Sequence, residues 1–195
     1  MTIPVRNNHG TFISLIILYI CKDVEFISFN VLDEQLKTDA RVLLSATSQV
    51  FDYEPDIIHM SLGTETKRYW LDFKKILWEA KKKNVFLVSA ASNSGSVSYP
   101  AYMHGVFGVK ADKRLVGSEY YYKKGFFYAP AGVEYIPDVQ QIPNYQMACG
   151  NSMSAAYITG HLAENLYNLS ENSKWNYREA KKILIRNIMV KREIM

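Results

Sequence analysis

The chain has few cysteines, no long apolar run and no strong excess of one charge. Its only cysteines in 195 residues are Cys21 and Cys149. Neither has a Cys or His nearby at metal-ligand spacing, so neither a disulfide framework nor a zinc site is indicated, and two reduced thiols are expected. The longest apolar stretch, residues 12–20, falls well short of the roughly 20 residues that cross a bilayer and reads as a core helix. No basic leader with an apolar segment and a small-residue cleavage site opens the sequence, which makes a cytoplasmic location the default and a membrane partner unexpected. The net charge of +4 and the pI near 8.9 are mild. Lysines 74, 75, 81, 82 and 83 fall on one helical stretch and read as a solvated face rather than a nucleic-acid patch.

What is there suits one globular domain over residues 1–195, with 48% hydrophobic residues and no repeat, low-complexity tract or linker. Beta-branched and aromatic runs alternate with stretches of helical period, the pattern of a mostly parallel sheet with helices on both faces. Strands are expected at residues 25–32, 57–61, 85–91 and 106–110. Amphipathic crossover helices are expected at 37–52, where Ala40, Leu43, Leu44, Thr47, Val50 and Phe51 recur at steps of three and four, and at 66–83, through Trp70, Phe73, Leu77 and Ala80. Residues 117–145, rich in tyrosine, glycine and proline, read as loops and irregular strands at the far edge of the sheet. Asn176 with Glu179 makes a capping pair ahead of a terminal helix.

Four blocks carry the chemistry. Gly150-Asn151-Ser152-Met153-Ser154-Ala155-Ala156 runs into a helix and sets a serine in its first turn, where the helix lends a backbone N–H and its positive dipole end. His9-Gly10-Thr11 opens an apolar helix. Asp56 to Gly63 ends a strand in Ser61-Leu62-Gly63, and Val88 to Gly95 carries Asn93, followed by Tyr99-Pro100-Ala101. In their order along the chain, His9, Ser61-Leu62-Gly63, Asn93 and Ser152, and together with Ala129-Pro130-Ala131-Gly132-Val133, they resemble the subtilisin-like serine peptidases over residue 8 to about 165. The resemblance implies an α/β, three-layer, doubly wound sheet and a serine endopeptidase acting on peptide or protein substrates without a cofactor. Ser152 would be the nucleophile, His9 the general base and Asn93 the oxyanion donor. Ser61, Leu62, Gly63, Ala90, Ala91 and Ser92 would line the substrate site. Serine also suits a helix N-cap and asparagine a turn, but the flanking blocks favour the catalytic roles. His59, His104 and His161 have no such context and are expected to be structural.

The sequence departs from the family at several points. Asn151 stands where threonine is usual, Ala156 where proline is, and Ser92 where glycine is, which narrows the expected S1 rim. Residues 12–20 run through the place of a calcium loop, so no metal is expected. The family's triad runs Asp, His, Ser along the chain, yet the eight residues before His9 contain no carboxylate. In subtilisin, loss of that aspartate lowers turnover by about 3 × 10⁴, or roughly 6 kcal/mol. The inner strand that carries it, which would lie between residues 25–32 and 57–61, is also expected to be missing. Two functions follow from the resemblance. One is an impaired or split endopeptidase whose strand and aspartate come from a second polypeptide. The other is a pseudopeptidase that binds extended peptides as a carrier or maturation factor. An esterase is disfavoured because the serine does not sit in Gly-x-Ser-x-Gly and the histidine precedes it.

Overall fold

The computed structural model describes residues 8–33, 35, 37–168 and 175–193, the last five as backbone only. Residues 1–7, most of the stretch without a carboxylate, lie outside the described residues. A five-stranded sheet is ordered β1-β2-β3-β5-β4, with β1 Ile57–Met60, β2 Phe86–Ala90, β3 Val106–Ala111, β4 Tyr121–Lys123 and β5 Phe126–Ala129. The ladders β1–β2, β2–β3 and β3–β5 are parallel, and only the β4–β5 pair is antiparallel. The tyrosine-rich stretch thus supplies the far edge, as its composition suggested.

Side chains alternate across a strand, so each strand feeds two cores. Ile58, Met60, Leu87 and Val106 pack with Leu43 of α2 (Ala40–Val50) and with Phe73, Ile76 and Ala80 of α3 (Trp70–Lys83). Phe86, Val88, Ala90, Phe107 and Val109 pack with α1 (His9–Ile20), α4 (Asn151–Tyr167) and α5 (Tyr177–Glu193) on the opposite face. The result is three layers. Residues 153–162 of α4 are all buried, as befits a central helix packed on every side, and its buried polar Ser154, Thr159 and His161 are each hydrogen-bonded. Helix α2 is capped by the Asp39 carboxylate, which accepts the Arg41 N–H at 2.7 Å. The expected capping pair forms at α5, with the Asn176 N–H donating to Glu179 at 2.8 Å and the Glu179 N–H donating to Asn176 at 3.2 Å.

One expected strand is not a strand. Residues 25–32 adopt no regular structure, and Phe26 and Ile27 are exposed. A strand exists only through its ladder, and β1, the nearest candidate partner in the expected order, pairs with β2 alone. The row of backbone groups on the other side of β1 has no strand against it among the described residues.

Candidate active site

The start of α4 is fixed before any side chain acts. Gly150 holds a φ of +115° that L side chains rarely adopt, and a Cβ there would stand 3.0 Å from Asn93 Oδ1. Its N–H donates to the Ala131 carbonyl at 2.7 Å, while the Ser154 hydroxyl reaches the Pro130 carbonyl at 2.8 Å. The Ala129 to Gly132 block therefore anchors the end of α4 from below.

Asn151 makes a three-way bridge. Its Oδ1 accepts the Ala111 N–H at 2.7 Å, and its Nδ2 donates to the carbonyls of Ala91 at 2.9 Å and Ser92 at 3.1 Å. The C-terminal ends of β2 and β3 are thereby tied to the first turn of α4. A threonine hydroxyl has one hydrogen and cannot make both donations.

Asn93 lies on the exposed loop after β2 and accepts the Asn151 N–H through Oδ1 at 3.0 Å. With that oxygen committed, Nδ2 is the group it can offer to a ligand. Ser152, second in the helix, has no carbonyl four residues back for its own N–H. Two donors from different elements thus meet at the positive end of the α4 dipole. Ser152 is half-buried, and its hydroxyl donates to the Ser61 carbonyl at 2.9 Å. Ser61 and Ser152 are therefore together, as are Asn93 and the start of α4.

His9 is the first residue of α1, half-buried, and burial lowers its imidazole pKa. Asn8 beside it donates through Nδ2 to the Pro143 carbonyl at 3.3 Å, which ties the start of α1 to the loop leading into Ser152. The charge of His9 also reaches His59, where it opposes protonation.

His59, expected to be structural, stands inside this constellation. Its Nδ1 lies 2.8 Å from Thr159 Oγ1 and its Nε2 lies 2.7 Å from Ser61 Oγ. Thr159 spends its single hydrogen on the Ala155 carbonyl at 2.9 Å, so His59 must donate from Nδ1 and accept from Ser61 at Nε2. Burial first and the His9 charge second lower its pKa to about 4. A closed polar ring results: Ser152 to Ser61, Ser61 to His59, His59 to Thr159, and back along α4. The other two histidines lie elsewhere, His161 buried against the Ser118 carbonyl and His104 against the Tyr177 ring.

The remaining expected site residues lie on two segments, the expected walls of a peptide site, one following β1 and the other at the end of β2 and just beyond it. Leu62 is half-buried and Gly63 exposed, while Ala90 and Ala91 are buried and Ser92 half-buried. Thr64 and Tyr99 exchange backbone hydrogen bonds of 2.9 and 2.8 Å, which clamp the first wall to the loop that follows the second. No three His, Cys, Asp or Glu side chains gather at metal-binding range among the described residues.

The sequence model of the subtilase family, peptidase S8, matches residues 2–193. Among solved structures, a lanthipeptide protease superposes with a TM-score of 0.68 at 20% identity, covering 91% of this chain and 68% of that one. The prenylagaramide maturation protease PagA aligns with a TM-score of 0.49 at 23% identity, over 67% of this chain and 50% of that one. No curated protein matches the sequence. At 20% identity the likeness to the lanthipeptide protease carries the fold alone.

Proposed function

This chain belongs to the subtilase family, and from that membership we propose that it is a serine-type endopeptidase domain working through an acyl-enzyme on Ser152. Ser152 Oγ bonds to the carbonyl carbon of the scissile peptide while His9 takes its proton. The carbon–nitrogen bond then breaks as His9 returns that proton to the leaving amine, and water releases the acyl group by the same steps. Asn93 Nδ2 and the Ser152 N–H receive the oxyanion. The observation that carries the reading is the first turn of α4, where a half-buried serine, an uncommitted backbone donor and Asn93 converge.

None of the eight residues given before His9 offers the carboxylate that would orient it. In this reading a second polypeptide supplies it, on a strand laid against the free side of β1, and without that partner turnover is lower by about 3 × 10⁴. A fluorophosphonate probe tests the proposal. Labelling at Ser152 that is lost in His9→Ala supports it, and no labelling in either the chain alone or any copurified complex sinks it.

One observation favours a second reading, a pseudopeptidase that binds extended peptides without cutting them. The Ser152 hydroxyl donates its hydrogen bond to the Ser61 carbonyl, which leaves the nucleophile parked rather than primed. Peptide binding unchanged in Ser152→Ala, with no cleavage products from the unaltered protein by mass spectrometry, would establish that reading over the first.

A further inference from the structure

Beyond the clamp between Thr64 and Tyr99, the next residue on the first wall turns back across the site. Glu65 Oε1 accepts from the hydroxyls of Ser92 at 2.8 Å and Ser94 at 2.9 Å, the two residues that flank Asn93. These hydroxyls are themselves ordered, since Ser92 Oγ accepts the Ser94 N–H at 3.2 Å and Ser94 Oγ accepts the Ser96 N–H at 3.2 Å. The hydrogen bonds from Ser92, Ser94 and Ser96 hold the Glu65 carboxyl below its ordinary range. No cation pairs with it among the described residues. A negative charge held only by neutral donors thus bridges from the segment after Ser61-Leu62-Gly63 to the loop after Ala90-Ala91.

That arrangement is what a cationic side chain requires. A flexible carboxylate would have to be ordered when the ligand arrives, whereas this one is already positioned. The segment that carries it lies tight against the later loop, since a Cβ at Gly63 would stand 2.5 Å from the Tyr99 carbonyl oxygen. Nor does anything in the ring around Ser152 need this charge, because His59 is neutral there and bonded to hydroxyls.

We propose that Glu65 is a specificity-determining residue, selecting peptides with arginine or lysine at the position whose side chain enters between the two walls. This rests on the reading of those walls as the peptide site, shared by both functions proposed above. Because Glu65 is exposed, the preference is modest and falls with salt.

The test is equilibrium binding to Ser152→Ala, by fluorescence anisotropy, of two labelled decapeptides that differ only in Arg or Leu at one position, scanned along the peptide. At low ionic strength the Arg peptide is expected to bind about 3- to 5-fold more tightly at one position, the size of an exposed ion pair. Glu65→Gln keeps an oxygen that accepts from Ser92 and Ser94 but removes the charge, and should bring the ratio to near unity. Glu65→Lys should invert it. An Arg-to-Leu ratio that is the same in all three proteins overturns the proposal, as does the absence of binding by either peptide. Failure of the fluorophosphonate to label Ser152, with the Glu65-dependent ratio intact, would remove the peptidase reading and leave this one standing.

Discussion

His59 couples the polar ring to pH. Its folded pKa near 4 lies below the ordinary imidazole value of 6.5, so between those values the unfolded chain holds a proton that the folded chain refuses. Stability is therefore full above about pH 6.5 and falls as pH drops toward 4, by roughly 2–3 kcal/mol. His9, also lowered, acts in the same direction. Urea unfolding from pH 7 to 4 should show this slope, and His59→Gln should flatten it by the larger share. Asn151 and Asn93 separate stability from chemistry in the same way. Asn151→Ala leaves the Ala111 N–H and the Ala91 and Ser92 carbonyls without their partner, at a cost of roughly 2–4 kcal/mol in urea unfolding. Asn93→Ala, on an exposed loop, should cost under about 1 kcal/mol in stability yet lower kcat by about 10²- to 10³-fold if it serves the oxyanion. The candidate residues themselves were legible because each sits in a local block of distinctive neighbours. His59 was not, because its partner Thr159 lies 100 residues away, and nothing near it in sequence announces that meeting. Asn151 read as drift from a threonine, since its three partners are carbonyl and amide groups that no side-chain pattern encodes.

Among the elements, α1 and α4 set where His9 can be relative to Ser152. They touch through Gly160, where a Cβ would stand 2.9 Å from Ile20 Cβ and 3.2 Å from the Ile17 carbonyl oxygen. Neither atom is the free end of a flexible chain, so Gly160→Ala must move one helix. Overpacking costs about 1–3 kcal/mol and outweighs the gain in helix propensity of up to about 1 kcal/mol. The variant should unfold at lower urea and label more slowly with fluorophosphonate, because His9 rides on α1. A rise in the unfolding midpoint would mean the two helices are not in contact there. Elements with strong local signals were readable in advance: α3 from its apolar period, α5 from Asn176 and Glu179, and α4 from the block Gly150 to Ala156 that runs into it. Residues 25–32 were not, because an apolar, β-branched run states only a willingness to pair. Whether a ladder forms depends on a neighbour, and β1 is not that neighbour.

For the molecule as a whole, the three layers follow from apolar strands flanked by amphipathic helices, but strict alternation does not hold: α3 joins β1 to β2, whereas β2, β3, β4 and β5 follow one another with no helix between them. No helix among the described residues is long and apolar enough to cross a membrane. The asymmetry of the sheet has a further effect. At one end it finishes in the short, antiparallel three-residue β4; at the other it stops at the parallel β1, whose outer side has no strand against it among the described residues.

That unfinished border makes the isolated chain adhesive. Two copies can lay their β1 borders side by side and continue each other's sheet. Sedimentation velocity should find reversible dimers whose fraction grows with protein concentration, and Ile57→Pro should shift them back to monomer by deleting an amide from that border. Purification yields and shelf life of the lone chain would then be governed by crowding at one border of the sheet rather than by the strength of its core.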